Sequence, residues 1–178
     1  MRARQPRQPR RPRPPLDEAA LKELGLTYVA RFATSRGKLA DYLRRKLRER
    51  GWGGQGDPPI AVIVEWAAEA GFIDDQAYAL SKARSLGDRG FGERRVAMAL
   101  RAAGIEEGDG QAARDLARES GDEAALRFAR RKRLGPFAAT LPDRRESDKA
   151  LAAMIRAGHP FALAKRILSL PPDFDSDA

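Results

Sequence analysis

One histidine and no cysteine leave this 178-residue chain little side-chain chemistry for catalysis. His159 stands between Gly158 and Pro160 at a helix start, with no nucleophile or metal cluster beside it in sequence, so a capping or surface role is expected. Asp74 and Asp75 suggest a metal or acid–base pair, but adjacent positions on a helix diverge by about 100°. An N-cap followed by a first-turn acid accounts for both. The chain has no phosphate-binding glycine loop ending in Lys-Ser/Thr, and GFGERR lacks the strand context of a nucleotide-binding turn. Without cysteine there is no disulfide, zinc–thiolate site or thiol nucleophile. The chain is therefore read as a non-enzyme with no metal and no cofactor.

What remains is cationic. The formal charge is +9 and the pI near 10.4, which favours a polyanionic partner. Residues 1–15 hold six Arg and no acid, so the remainder carries 28 basic against 25 acidic residues and must be patchy. Three clusters stand out: Lys38, Arg44, Arg45 and Arg48; Arg84, Arg89, Arg94, Arg95 and Arg101; and Arg127, Arg130, Arg131 and Arg156. Helical pairs such as Asp41 with Arg45 neutralise part of this at little gain in stability. A basic stripe of this kind implies weak DNA binding with little sequence preference and steep salt dependence. Only 7% of residues are aromatic and few sit among the basic clusters, which disfavours an RNA-binding surface built on stacking. No apolar run approaches a membrane span, and the Arg/Pro start lacks the apolar core of a secretory signal. A soluble, cytoplasmic protein is expected.

The elements that must carry these residues are all helical. The first 15 residues alternate Arg with Pro and read as a disordered arm able to add phosphate contacts. Helical patterning begins at Leu16 and continues through Leu21, Leu24, Tyr28 and Phe32. Ser35 is an N-cap for a second helix with Leu39, Leu43 and Leu47 on one face, ended by Gly51. A third helix, IAVIVEWAAEAG, is apolar enough to be buried on several sides. Asp74 caps the fourth, and the fifth runs over residues 92–103 with Val96, Leu100 and Ala103 inward and Arg94 and Arg101 on an outer face. A sixth helix covers residues 111–119, Asp122 caps a seventh, an eighth spans residues 144–157, and Pro160 opens a ninth. Tyr28, Tyr78 and Phe128 recur 50 residues apart, and RERGW, RAAGI and IRAGH each close a basic helix on glycine. These features predict an elongated all-α tandem array of three three-helix repeats. The expected bounds are an arm at residues 1–15, repeats at 16–70, 71–120 and 121–170, and an acidic tail at 171–178.

FIDDQAYALSKARSLGDRGFGERRVAMALRAAGI, at the centre of that array, closely resembles the central repeat of the RecX family of recombination regulators. Its acidic pair, aromatic-Ala, Gly-rich turn, Arg-rich helix and terminal Gly-Ile follow the family pattern. TSRGKLADYLRRKLRERGW looks like the first repeat, and LRFARRKRLGPF with MIRAGHPFALAKRIL like the third. Departures are His159, where an aromatic often follows the glycine, Gly25, and the Arg/Pro arm. The resemblance implies a monomeric RecA modulator, active in DNA repair, homologous recombination and the SOS response. It would lodge in the groove of the RecA filament on single-stranded DNA and inhibit filament extension, ATP hydrolysis and strand exchange. By matching position the implied contacts are Arg44, Arg45 and Arg48 in the first repeat, Arg84, Arg89, Arg94, Arg95 and Arg101 in the second, and Arg127, Arg130 and Arg131 in the third. The competing expectation is a sequence-specific helix-turn-helix transcription regulator, which would concentrate its arginines on one recognition helix.

Overall fold

The computed structural model describes residues 14–171, which fold as nine α-helices, a single 3-10 turn at Gly135–Phe137 and an isolated bridge between Leu16 and Trp52. Most of the expected basic arm and acidic tail lies outside the described residues. Helices α1 (Glu18–Val29), α2 (Arg36–Arg50) and α3 (Ile60–Glu69) close over Leu16, Leu21, Leu39, Leu43 and Ile63. A second cluster, with Ala79, Ala83, Val96 and Leu100, fills α4 (Asp75–Asp88), α5 (Glu93–Ala102) and α6 (Gln111–Glu119). The third joins Phe128, Met154, Ala164 and Ile167 from α7 (Gly121–Lys132), α8 (Arg144–Arg156) and α9 (Phe161–Leu168).

Local chemistry sets several helix ends. The side chains of Asp17, Ser35 and Asp74 accept from the backbone N–H three residues on, at 2.8, 3.2 and 2.8 Å. Asp143 and Glu146 form a reciprocal capping box at α8. Caps of this kind each contribute about 1 kcal/mol. Helices α2, α5 and α8 all end where a glycine turns left-handed: Gly51 at φ 80°, Gly104 at 67° and Gly158 at 98°.

Four expectations need correction. Leu16 is not helical; its N–H donates to the Gly51 carbonyl at 3.0 Å and its carbonyl accepts from Gly53 at 2.9 Å, while Phe32 lies beyond α1 and half exposed. Asp122 does not cap α7, because α6 runs into α7 through Ser120 and leaves Asp122 inside the first turn, where it pairs with Arg166 at 2.6 Å. Helix α3 buries Ile63, Val64 and Ala67 but leaves Val62 67% exposed, since it packs mainly on α1 and α2 and turns its other face outward. Tyr28, Tyr78 and Phe128 do not occupy matching positions: they fall in the last turn of α1, the first turn of α4 and the middle of α7.

Adjacent helix sets meet through one device used twice. At the first junction the end of α5 lies on the start of α2, and the Ser35 hydroxyl donates to the Ala103 carbonyl at 2.5 Å. A Cβ on Gly37 would stand 2.7 Å from that carbonyl oxygen and 2.8 Å from the Cα of Gly104. At the second, the end of α8 lies on the start of α5: Gly92 donates to the Ala157 carbonyl at 3.0 Å and Arg94 to that of Gly158 at 3.2 Å. A Cβ on Gly92 would meet the Gly158 oxygen at 2.5 Å. Asp75, 4% exposed, braces the first junction by accepting from the Arg36 backbone N–H at 3.0 Å and its guanidinium at 3.5 Å. In sequence Asp75 is only a first-turn acid of its own helix; in the fold it also caps α2 from across the junction.

Gly92 has φ −82°, so only space demands glycine there. Gly92→Ala should lower unfolding free energy by about 1–3 kcal/mol through overpacking, or about 2–4 °C in Tm per kcal/mol. Gly87→Ala, where a Cβ meets nothing within 4 Å, should raise stability by about 0.5 kcal/mol. Thermal denaturation of the two variants checks both signs.

Candidate functional site

The second junction is also where cations converge. The turn from Asp88 to Glu93 must pass close to two backbones: a Cβ on Gly90, at φ 74°, would stand 2.7 Å from the Phe128 nitrogen, and Gly92 is pressed against Gly158. Two glycines thus seat the turn and leave Phe91 between them, packed against both the second and third apolar clusters. Around its ring stand Arg89 at 5.2 Å, Arg95 at 5.8 Å and Arg131 at 5.8 Å, measured from guanidinium carbon to ring centroid. Arg131 also lies 5.5 Å over Phe128 and donates to the Arg89 carbonyl. Residues from the α4–α5 turn, α5 and α7 therefore share one ring.

None of the three has a carboxylate within ion-pair distance among the described residues, and neither do Arg48, Arg84, Arg94 or Arg101. Three like charges around one aromatic repel one another, and each cation–π contact returns only about 0.5–1 kcal/mol at an exposed site. An anion would relieve that repulsion. Arg44 by contrast pairs with Asp41 at 2.9 Å, Arg45 with Glu49 at 3.7 Å, and Arg127 with Glu123 at 2.9 Å and Asp88 at 3.8 Å. Arg130 lies over Phe137 at 5.1 Å.

A second concave surface of about 460 Å³ lies at the first junction, lined by Tyr28, Lys38, Asp41, Tyr42, Arg45 and Arg48, with Ala102 of α5. Tyr28 and Tyr42 stack at 4.2 Å, Arg45 stands 5.5 Å over Tyr42, and Lys38 stands 5.8 Å over Tyr78. The expectation that aromatics would be scarce among the basic residues is thus overturned. Rings scattered along the sequence are gathered beneath the cations by the junctions. Sequence reasoning misses Phe91 and Tyr42 for that reason, although glycines on both sides of Phe91 mark a residue held in place.

His159 is the other correction. It is fully buried, with Nε2–H donating to the Gly90 carbonyl at 3.1 Å and its ring edge-on to Phe128 at 5.8 Å. It sits beneath the arginine-bearing turn, where the first junction has Ile105 after the corresponding glycine. Burial pushes its pKa below the usual value, and the Gly90 hydrogen bond offsets part of that. Among the described residues no group of three or more His, Cys, Asp or Glu is placed to hold a metal ion, and no helix is long and apolar enough to cross a membrane.

Fold and site together define an all-helical chain that gathers guanidinium groups without acidic partners at its second junction. The chain belongs to the RecX family of regulatory proteins. It is 34% identical over 161 residues to the regulatory protein RecX of Myxococcus xanthus, covering 85% of this chain and 86% of that protein. With the regulatory protein RecX of Agrobacterium fabrum it shares 28% over 145 residues, 79% of this chain and 77% of the other. No protein-family model matches. The fold recurs in the crystal structure of RecX from Lactobacillus salivarius, at a TM-score of 0.66 and 18% identity over 84% of this chain and 93% of that one. It recurs also in a crystal structure of regulatory protein RecX, at 0.67 and 22% identity over 84% and 72%.

The lowered His159 pKa has a defined consequence for stability. The unfolded chain takes up a proton near pH 6.5, whereas the folded chain does so only at lower pH. The contribution of His159 to stability is therefore complete above about pH 6.5 and is lost as pH drops below it. Because His159 is the only histidine, urea unfolding at pH 5.5 and 7.5 should show the drop in the natural chain and a smaller one in His159→Leu.

Proposed function

We propose that this chain is a non-enzymatic, cytoplasmic, monomeric modulator of RecA. It binds the RecA filament on single-stranded DNA and inhibits filament extension, ATP hydrolysis and strand exchange. Its units are residues 16–70, 71–120 and 121–170, and the basic arm at residues 1–15 adds phosphate contacts. The observation that carries this reading is the trio of Arg89, Arg95 and Arg131 on Phe91, without acidic partners, in a member of the RecX family. Arg48, Arg84, Arg94 and Arg101 extend the cationic surface, while Arg44, Arg45, Arg127 and Arg130 contribute less because each is already engaged. The bond from Leu16 to Gly51 occupies the first unit's free glycine end, which favours a monomer over an open stack of copies.

The test is RecA's ATP hydrolysis on single-stranded DNA with substoichiometric amounts of the chain. Hydrolysis should fall, and an unchanged rate sinks the proposal. Replacing Arg89, Arg95 and Arg131 together by Ala should flatten the salt dependence of single-strand binding by about two in logarithmic slope, at roughly 0.7 for each phosphate no longer neutralised. Arg44→Ala and Arg127→Ala should change it little.

A further inference from the structure

The concave surface at the first junction holds a row of flat side chains for which phosphate binding alone has no use. Phe32, Tyr28 and Tyr42 follow one another at 5.3 and 4.2 Å between ring centroids, and the two tyrosine planes lie within 16° of parallel. Tyr28 and Tyr42 are half buried and rest against the first apolar cluster, so both rings are held from below while part of each lines the open surface. Neither hydroxyl has a hydrogen-bond partner among the described residues. Phe32, at the end of the row, is 53% exposed.

Tyr28 covers one face of Tyr42, so the plane left to a ligand is the one beside Arg45 and Lys46, at 5.5 and 5.8 Å from its centroid. Lys46 is tied to Glu49 at 2.6 Å, whereas Arg45 meets that carboxylate at 3.7 Å in an exposed pair that costs little to break. The cations Lys38, Arg45 and Arg48 line the surface against a single carboxylate, Asp41, which is engaged by Arg44 at 2.9 Å. Lys38 and Arg48 have no carboxylate within ion-pair distance among the described residues. They stand about 15 Å apart along the axis of α2 at its rise of 1.5 Å per residue, with Tyr42 and Arg45 between them. Cations flanking an aromatic plane match a ligand whose backbone is anionic and whose side groups are flat. Single-stranded nucleic acid is such a ligand, because its bases are free to stack on protein rings, whereas a duplex keeps them inside. An acidic peptide would meet the cations and leave the tyrosine plane unused.

We propose that this surface is a nucleobase-binding site. One base of a single strand stacks on Tyr42 as the Arg45 guanidinium swings outward to cover it, and Lys38 and Arg48 hold phosphates on either side. The inference rests on the reading of the chain as a binder of single-stranded DNA and deepens it: the arginines around Phe91 take phosphates only, and the first junction takes a base. Stacking of this kind tolerates any base, so it is compatible with binding that has little sequence preference.

The test compares an oligothymidylate with an abasic strand of the same length, which keeps the phosphates and lacks the bases, each titrated with the chain alone. The natural chain should bind the oligothymidylate about tenfold more tightly, or about 1.4 kcal/mol, within the range of one stacked base. Tyr42→Leu, which still covers the apolar cluster, should remove most of that preference while leaving affinity for the abasic strand and the salt dependence unchanged. Tyr42→Phe should retain the preference. Replacing Arg89, Arg95 and Arg131 by Ala should weaken both strands alike. Should Tyr42→Leu lose helix content, the natural chain's preference still decides whether a base is bound, and Tyr28→Leu repeats the localisation. Equal affinity of the natural chain for the two strands overturns the proposal and leaves the arginine site standing. A Tyr42→Leu variant that loses both strands in step also overturns it, since the ring is then only structural. A natural chain that binds neither strand overturns the single-strand reading and this proposal together.

Discussion

The start of one helix resting on the glycine-turned end of the equivalent helix in the next set is the contact on which this molecule depends. Gly37 against Gly104 and Gly92 against Gly158 bring backbones so close that no Cβ fits. Hydrogen bonds from Ser35, Gly92 and Arg94 then cross each junction to carbonyls of the neighbouring helix end. Each helix set alone encloses only a small apolar cluster. Stacking through these junctions adds the buried contacts that a single set lacks.

The same contact builds the surface chemistry. Because the α4–α5 turn is clamped between Phe128 and Gly158, Phe91 is fixed at the boundary of two clusters, and arginines from three elements arrive at its ring. Seating polar backbone so tightly is possible because the N–H groups of Arg36, Gly92 and Arg94 find acceptors across the junctions, a carboxylate for the first and carbonyls for the other two. Arg89, Arg95 and Arg131 have no carboxylate within ion-pair distance among the described residues, so their positive charge is not neutralised locally. His159 beneath the turn ties the packing of this junction to proton concentration, since the buried ring is accommodated in its neutral form.

Much of the helical outline is legible in single residues. Ser35, Asp74, Gly51, Gly104 and Pro160 each have a local physical role at a helix end, and each stands where that role is played. What local chemistry does not encode is what lies across a junction. Asp75 reads as an ordinary first-turn acid until α2 is placed over it, and His159 as a surface residue until Gly90 and Phe128 enclose it. The 50-residue recurrence of Tyr28, Tyr78 and Phe128 does not mark equivalent positions, since the three fall at different points of α1, α4 and α7. The arginines of the candidate site are visible as clusters along the sequence. Their grouping over Phe91, and the pairing that withdraws Arg44, Arg45 and Arg127 into ion pairs, emerge only in three dimensions.

The most direct measurement is a reconstruction of the RecA filament on single-stranded DNA with this chain bound. The Phe91 turn should face the polyanion, with Arg89, Arg95 and Arg131 within hydrogen-bonding reach of phosphate oxygens. A chain bound with that junction turned to solvent, and phosphate held elsewhere, would contradict it.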